Sequence, residues 1–216
     1  GSFYESESIG NAIADAYPVD GLASALVATR QAITEASFAW PATYLARLHA
    51  AAGNDAFVYR FSRASPRIPL ARDLGAFHAL ELGYLFGTLE PVVMRDRTDR
   101  TLVSALQGAW RTFAADGVPV LPADLDPDLV RRPDAGEGEG EESDAETPEL
   151  PESSDSERLT WPEVPSDGPL LLLDFGDQIG TIDDPLAVRE TLMRTLFRHI
   201  RTNIAGHDGL PEELVD

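Results

Sequence analysis

Helices packed around two or more strands, an α/β or α+β arrangement interrupted by one acidic segment, are what this sequence encodes. Three features point there. Apolar residues recur at helical spacing over residues 98–115 and again toward the C-terminus. Two short runs, Ala56–Phe61 and Pro169–Phe175, are too short for helices and rich in strand-forming side chains. Between them, residues 122–158 are dominated by Pro, Glu, Asp, Ser and Gly.

Taken in order, residues 6–16 and 20–35 carry spaced Ile, Ala, Leu and Val with Pro18 and Gly21 between them, which predicts two helices. A third is expected from Pro41 to Ala52, with Pro at its first position, Gly53 past its end, and Tyr44, Leu45 and Leu48 on one face. Ala56–Phe61 follows a Gly-Asn-Asp turn and reads as an internal strand. Ser62–Asp73 reads as a loop. Leu102, Leu106, Ala109, Trp110 and Phe113 mark the apolar face of the 98–115 helix, closed by Gly117 and Pro119. Residues 122–158 lack the apolar surface needed to offset chain entropy and are expected to be largely disordered. Pro169–Phe175 is a second strand. The last helix is expected to start at Asp184 (its N-cap) and Pro185, to present Leu192, Leu196, Ile200 and Ile204, and to stop at Gly206. These elements divide the chain into 1–121, the acidic insertion 122–158, a returning strand and helix in 159–205, and a polar tail 206–216.

Composition excludes several function classes. Without Cys the chain has no disulfide, thiolate nucleophile or Cys-based zinc site. No apolar run approaches 18 residues, so no spanning helix is expected. The opening residues lack a basic segment followed by an apolar one and do not read as a signal peptide, which makes the cytoplasm the expected compartment. The absence of an initiator Met suggests a piece of a longer polypeptide. All 17 basic residues are Arg, against 37 acids, for a net charge of −20. Residues 134–157 hold 11 acids and no base, yet the rest remains acidic, with 26 acids. No basic patch suits a phosphate backbone, so nucleic acid is not an expected partner. The acidic, Lys-free body suits concentrated salt, where screening weakens self-repulsion.

Chemistry enters with residues 75–87. Gly75, His78, Glu81, Tyr84, Phe86 and Gly87 stand at the spacing G-x-x-H-x-x-E-x-x-Y-x-F-G. Upstream lie Phe38-Ala-Trp-Pro41 and Val58-Tyr59-Arg60-Phe61. Downstream lie Trp110-Arg-Thr-Phe113-Ala114 with Gly117 and Pro119, then Trp161-Pro162. Together these resemble the C-terminal portion of type B carboxylesterases, the family of cholinesterases and bacterial p-nitrobenzyl esterases, over roughly residues 37–200. The resemblance implies a partial α/β-hydrolase fold, hydrolysis of a small carboxylic ester through an acyl-serine, and no metal or cofactor. It makes His78 the general base and Glu81 a supporting carboxylate. Phe77, Leu80 and Trp40 become the residues expected to wall the substrate pocket.

An imidazole suits that role, since its pKa near neutrality lets it take a serine proton and return it to the leaving alcohol. Glu81 also has a plainer reading, a helix-start carboxylate facing backbone N–H groups. His49, His199 and His207 read as surface residues, and Asp183-Asp184 as capping residues. The other triad parts are missing from this sequence. No serine has Gly two residues before and two after it, as the nucleophile elbow requires, and no Gly-rich oxyanion loop or Asp-Glu-Gly acid motif is present. The chain alone is therefore expected to be inactive, with a partner chain, the missing N-terminal half, supplying the serine. The competing expectations are a non-catalytic cholinesterase-like interaction module and a decayed remnant.

Overall fold

The computed structural model describes residues 2–131 and 159–204. It divides into two compact units, residues 1–48 with 184–216, and residues 49–183.

The first unit is helical. α1 (Ser2–Ala16) and α2 (Leu22–Thr34) fall where periodicity placed them. The third helix does not begin at Pro41. The chain runs from α2 through a π-helical turn, Glu35–Ala39, directly into α3 (Trp40–Ala51), so Pro41 lies inside a continuous helical run. Proline lacks an N–H, and its ring crowds the carbonyl four residues back, here that of Ser37. The π turn accommodates it, with the Trp40 N–H reaching back five residues to the Glu35 carbonyl. The last helix, α7 (Glu190–Ile204), starts six residues later than Asp184, after a 3-10 turn at Ala187–Arg189. Asp184 caps no helix: its Oδ1 accepts from the Leu186 N–H at 2.9 Å within the turn that precedes this 3-10 segment, whose N-cap is Leu186. The buried stripe of α7 also differs from expectation. Met193 is buried with Leu192 and Phe197 beside it, whereas Ile200 is exposed. Residues four apart drift about 40° per step around a helix of 3.6 residues per turn, so a strict four-residue series leaves the core. Tyr17, Trp40, Leu186 and Met193 form this unit's core.

The second unit holds a three-stranded sheet in the order β1 (Tyr59–Phe61), β2 (Leu171–Phe175), β3 (Ile179–Asp183). β1 runs parallel to β2, pairing Tyr59 with Leu173 and Phe61 with Phe175, and β3 returns antiparallel. β1 is thus an edge strand among the described residues and not internal. The β1–β2 connection carries α4 (Pro69–Leu74), α5 (Leu80–Leu85) and α6 (Arg97–Asp116). α4 occupies the segment expected as loop, with Pro69 in its first turn. α6 buries Leu102, Val103, Leu106 and Ala109 against Leu173, Phe175 and Ile179. Tyr59 meets Trp110, Trp161 and Phe175 edge to face at 5.5–6.1 Å, and the Trp161 indole N–H donates to the Val58 carbonyl at 3.0 Å.

The expected disorder of 122–158 does not extend to its first ten residues. Asp126 and Asp128 pair with Arg97, residues Pro127–Leu129 form a 3-10 turn, and Val130 bridges to Ile179 on β3. Residues 132–158 and the tail from 205 lie outside the described residues. Among the described residues no helix is long and apolar enough to cross a membrane.

Candidate active site

His78 lies in the second unit, on the connection that leaves the C-terminal end of parallel strand β1. In α/β sheets that end of the strands is where ligands bind. Three local features shape the loop. Gly75 closes α4 with φ 70° and ψ −149°, a conformation open to glycine alone. The Phe77 N–H turns back to the Gly75 carbonyl at 3.0 Å, and the Leu80 N–H to the Phe77 carbonyl at 3.1 Å. Ala79 is left-handed, with φ 65° and ψ 8°, the one non-glycine residue of positive φ among those described. Such a conformation costs an alanine about 1–2 kcal/mol, and it turns the chain so that His78 is exposed while Leu80 enters the core.

The neighbours of His78 divide by burial. Phe77 is half-buried and packs on the main core. Leu80, 7% exposed, belongs to that core. Trp40 belongs to the first unit. It is buried in the helical unit, stacked on Tyr44 at 5.8 Å with the Arg194 guanidinium 5.6 Å over its ring. The exposed apolar side chains near His78 in sequence are instead Leu74, Leu82 and Phe86. Glu81 is half-buried in the first turn of α5, where the helix dipole favours a carboxylate. Burial, and then the charge of Glu81, push the Tyr59 phenol above its ordinary value. The other histidines stand elsewhere: His49 is exposed in the last turn of α3, His199 is half-buried on α7, and His207 lies outside the described residues.

The same unit holds a cluster that the motifs do not reveal. Asp99, fully buried on α6, accepts from Arg63 Nε at 2.8 Å, from the Ser65 hydroxyl at 2.6 Å and from the Tyr84 hydroxyl at 2.9 Å. Arg63 also reaches Asp96, the N-cap of α6, and Asp177 in the β2–β3 turn. The arginine is 6% exposed and the serine and tyrosine fully buried. Burial lowers the guanidinium pKa, but the hydrogen bonds and charges of Asp99 and Asp177 outweigh it, so Arg63 stays charged. Burial and Asp99 together push the Tyr84 phenol upward, keeping its hydroxyl a donor. One sign was available in sequence. Asp99 sits three residues before Leu102 and seven before Leu106, in the buried stripe of α6, where a carboxylate needs partners.

Among the described residues no group of three His, Asp or Glu side chains could hold a metal ion. The chemistry on offer is an exposed imidazole on a shaped loop, in the same unit as a satisfied ionic core.

Solved structures share the fold. A PNB esterase matches at 21% identity with a TM-score of 0.55, covering 86% of this chain and 30% of its own. A thermophilic PNB esterase matches at 20% identity and 0.55, with the same coverage. A carboxylesterase of Geobacillus stearothermophilus matches at 18% and 0.53, covering 87% of this chain and 31% of its own. The chain therefore spans about a third of the length of these proteins, and the likeness shows an α/β-hydrolase fold of which it forms a part. The model of the carboxylesterase family matches residues 4–159, a stretch that includes the His78 loop, Arg63, Ser65, Tyr84, Asp99 and the whole of α6. By that match the chain belongs to the carboxylesterase family.

Proposed function

We propose that this chain is the C-terminal part of a serine carboxylesterase and supplies the histidine of its triad, His78. The supporting observation is the placement of that residue. It is an exposed imidazole in the connection after a parallel strand, on a loop whose geometry keeps it out of the core.

The mechanism needs a hydroxyl from elsewhere, since this sequence has no serine elbow. A serine brought beside His78 loses its proton to the imidazole as it attacks the ester carbonyl. The imidazolium then returns that proton to the departing alcohol, leaving an acyl-serine. In the second half His78 takes a proton from water, the resulting hydroxide equivalent attacks the acyl carbon, and the proton goes back to the serine. The substrate class is a carboxylic ester. The partner is the polypeptide segment that carries the serine, the acid and the oxyanion donors. Among the described residues β1 stands at the edge of the sheet, which supports that reading, because the edge of a parallel strand is a template for a further strand.

Co-expression of this chain with the polypeptide encoded immediately upstream of it, followed by labelling with a fluorophosphonate, tests the proposal. Labelling is expected in the mixture and not in this chain alone. His78→Ala is expected to slow both labelling and ester hydrolysis about 10⁴-fold or more. Labelling of the mixture at an unchanged rate after that substitution rules out His78 as the base.

A further inference from the structure

We propose that Asp99 is a clasp that closes the arm carrying His78, which makes Asp99, Ser65 and Tyr84 positioning residues for that imidazole. The inference rests on reading His78 as the catalytic base. The clasp itself is read from contacts alone.

Ser65 and Tyr84 mark the two ends of the arm, and both donate to the same carboxylate, Ser65 to Oδ2 and Tyr84 to Oδ1. Ser65 lies just past the end of β1, and from it the chain forms α4, passes His78 and enters α5, which carries Tyr84. Tying both ends to one buried group removes chain freedom that an open loop would keep. It also supplies what the arm cannot supply itself. α5 has six residues, far below the length at which an isolated helix is stable, so tertiary contacts must hold it. Two of its side chains do so, Leu80 by burial and Tyr84 by burial and its hydroxyl. Ala79, immediately before α5, sits in a strained conformation that persists only while its surroundings enforce it. Loss of the Tyr84 anchor lets α5 fray, Ala79 relax toward negative φ, and the imidazole at position 78 turn with it. Arg63 completes the device. Its Nε neutralises Asp99, while its other nitrogens fix Asp96 and Asp177, so the clasp is anchored to α6 and to the β2–β3 turn.

The test uses this chain with ¹³C,¹⁵N-labelled histidine and amide hydrogen exchange. Tyr84→Phe removes the hydroxyl and keeps the ring. Ser65→Ala releases the other end. Both are expected to speed exchange over Phe77–Phe86 about tenfold, the worth of one buried hydrogen bond, and to lower the order parameter of the His78 ring. Exchange in the centre of α6 and in β2 is expected to stay unchanged. Uniform acceleration throughout the unit, or none at 77–86, overturns the clasp, because a merely structural bond would weaken the whole unit together. In the reconstituted enzyme Tyr84→Phe is expected to lower kcat with little change in KM. Should His78→Ala leave labelling intact there, the base assignment fails while the exchange result still decides the clasp.

Discussion

Arg189 grips Glu35 with two parallel hydrogen bonds, Nε to Oε2 and Nη2 to Oε1, each 2.7 Å, across 154 positions of sequence. Tyr17 adds its hydroxyl to Oε2 at 2.6 Å, and Gln31 its amide to Oε1 at 2.8 Å. A carboxylate with four donors around it is charged for a reason, and the fork geometry makes the pair selective for arginine.

The first prediction follows from the titration of Glu35. Burial raises its pKa, but hydrogen bonds from Arg189, Tyr17 and Gln31 outweigh that, and the net value lies below the ordinary 4.5. A depressed carboxylate contributes stability fully above its unfolded pKa and loses it as pH falls through the folded value. Tyr17, raised by burial and by Glu35, contributes in the opposite sense and loses its share as pH climbs above its ordinary 10.0. Asp184, raised by burial, partly offsets Glu35 in acid. Glu35→Gln should therefore cost about 2–3 kcal/mol at pH 7 in urea unfolding, and the deficit should shrink steadily below pH 4.5. An equal deficit at pH 7 and pH 3 would refute the linkage.

The second prediction concerns Gly108, on the buried face of α6. A Cβ there would stand 2.8 Å from Pro122 Cδ and closer still to its Cγ. Alanine is the better helix former by about 1 kcal/mol, but overpacking against a rigid ring costs about 1–3 kcal/mol. Gly108→Ala should lower the melting temperature, and Pro122→Ala in the same chain should recover most of the loss. An unchanged melting temperature for the single variant would show that residues 120–124 yield freely.

These two sites show what was legible in sequence. α6, β2 and the His78 segment could be read because each has a strong local pattern, an apolar stripe, a short leucine run or fixed motif spacing. β3 was missed. Its five residues, Ile179–Asp183, include a glycine and a threonine, and only pairing with β2 makes them a strand. The π turn before Pro41 was illegible because proline opening a helix is the commoner arrangement. The Asp99 cluster joins Arg63 to Asp99 across 36 positions and to Asp177 across 114, so no local window contains it. That Leu80 and Trp40 are buried was equally illegible, because apolar residues near a motif can face solvent or core, and burial is a property of the fold.

The third prediction tests the strain at Ala79. A glycine at φ 65° avoids the roughly 1–2 kcal/mol that an alanine incurs there, while its greater freedom when unfolded costs about 0.5–1 kcal/mol. Ala79→Gly should thus stabilise the chain slightly, by about 0.5–1 kcal/mol, and Ala79→Val should destabilise it, because a β-branched side chain fits that region poorly. Chemical denaturation of both variants checks the order Gly, Ala, Val. Valine equal to alanine would mean that the backbone at 79 relaxes without penalty.

The fourth prediction weighs two opposing effects of salt. Screening weakens exposed ion pairs such as Arg97–Asp126 and Arg194–Glu190, whose contribution is already small in water. It also weakens repulsion among the excess acids of a chain with net charge −20. The repulsion grows with the square of the charge and acts across the whole surface, whereas the exposed pairs are few and local. It should win. Raising KCl from 0.1 M to 2 M, which shortens the screening length from about 10 Å to below 3 Å, should therefore raise the melting temperature by several degrees. Removal of residues 134–157 takes away 11 acids and leaves 26 against 17 Arg. The salt effect in that shortened chain should be smaller but of the same sign, because the folded body is itself acidic. A melting temperature that falls with KCl in both chains would mean that the ion pairs outweigh the repulsion.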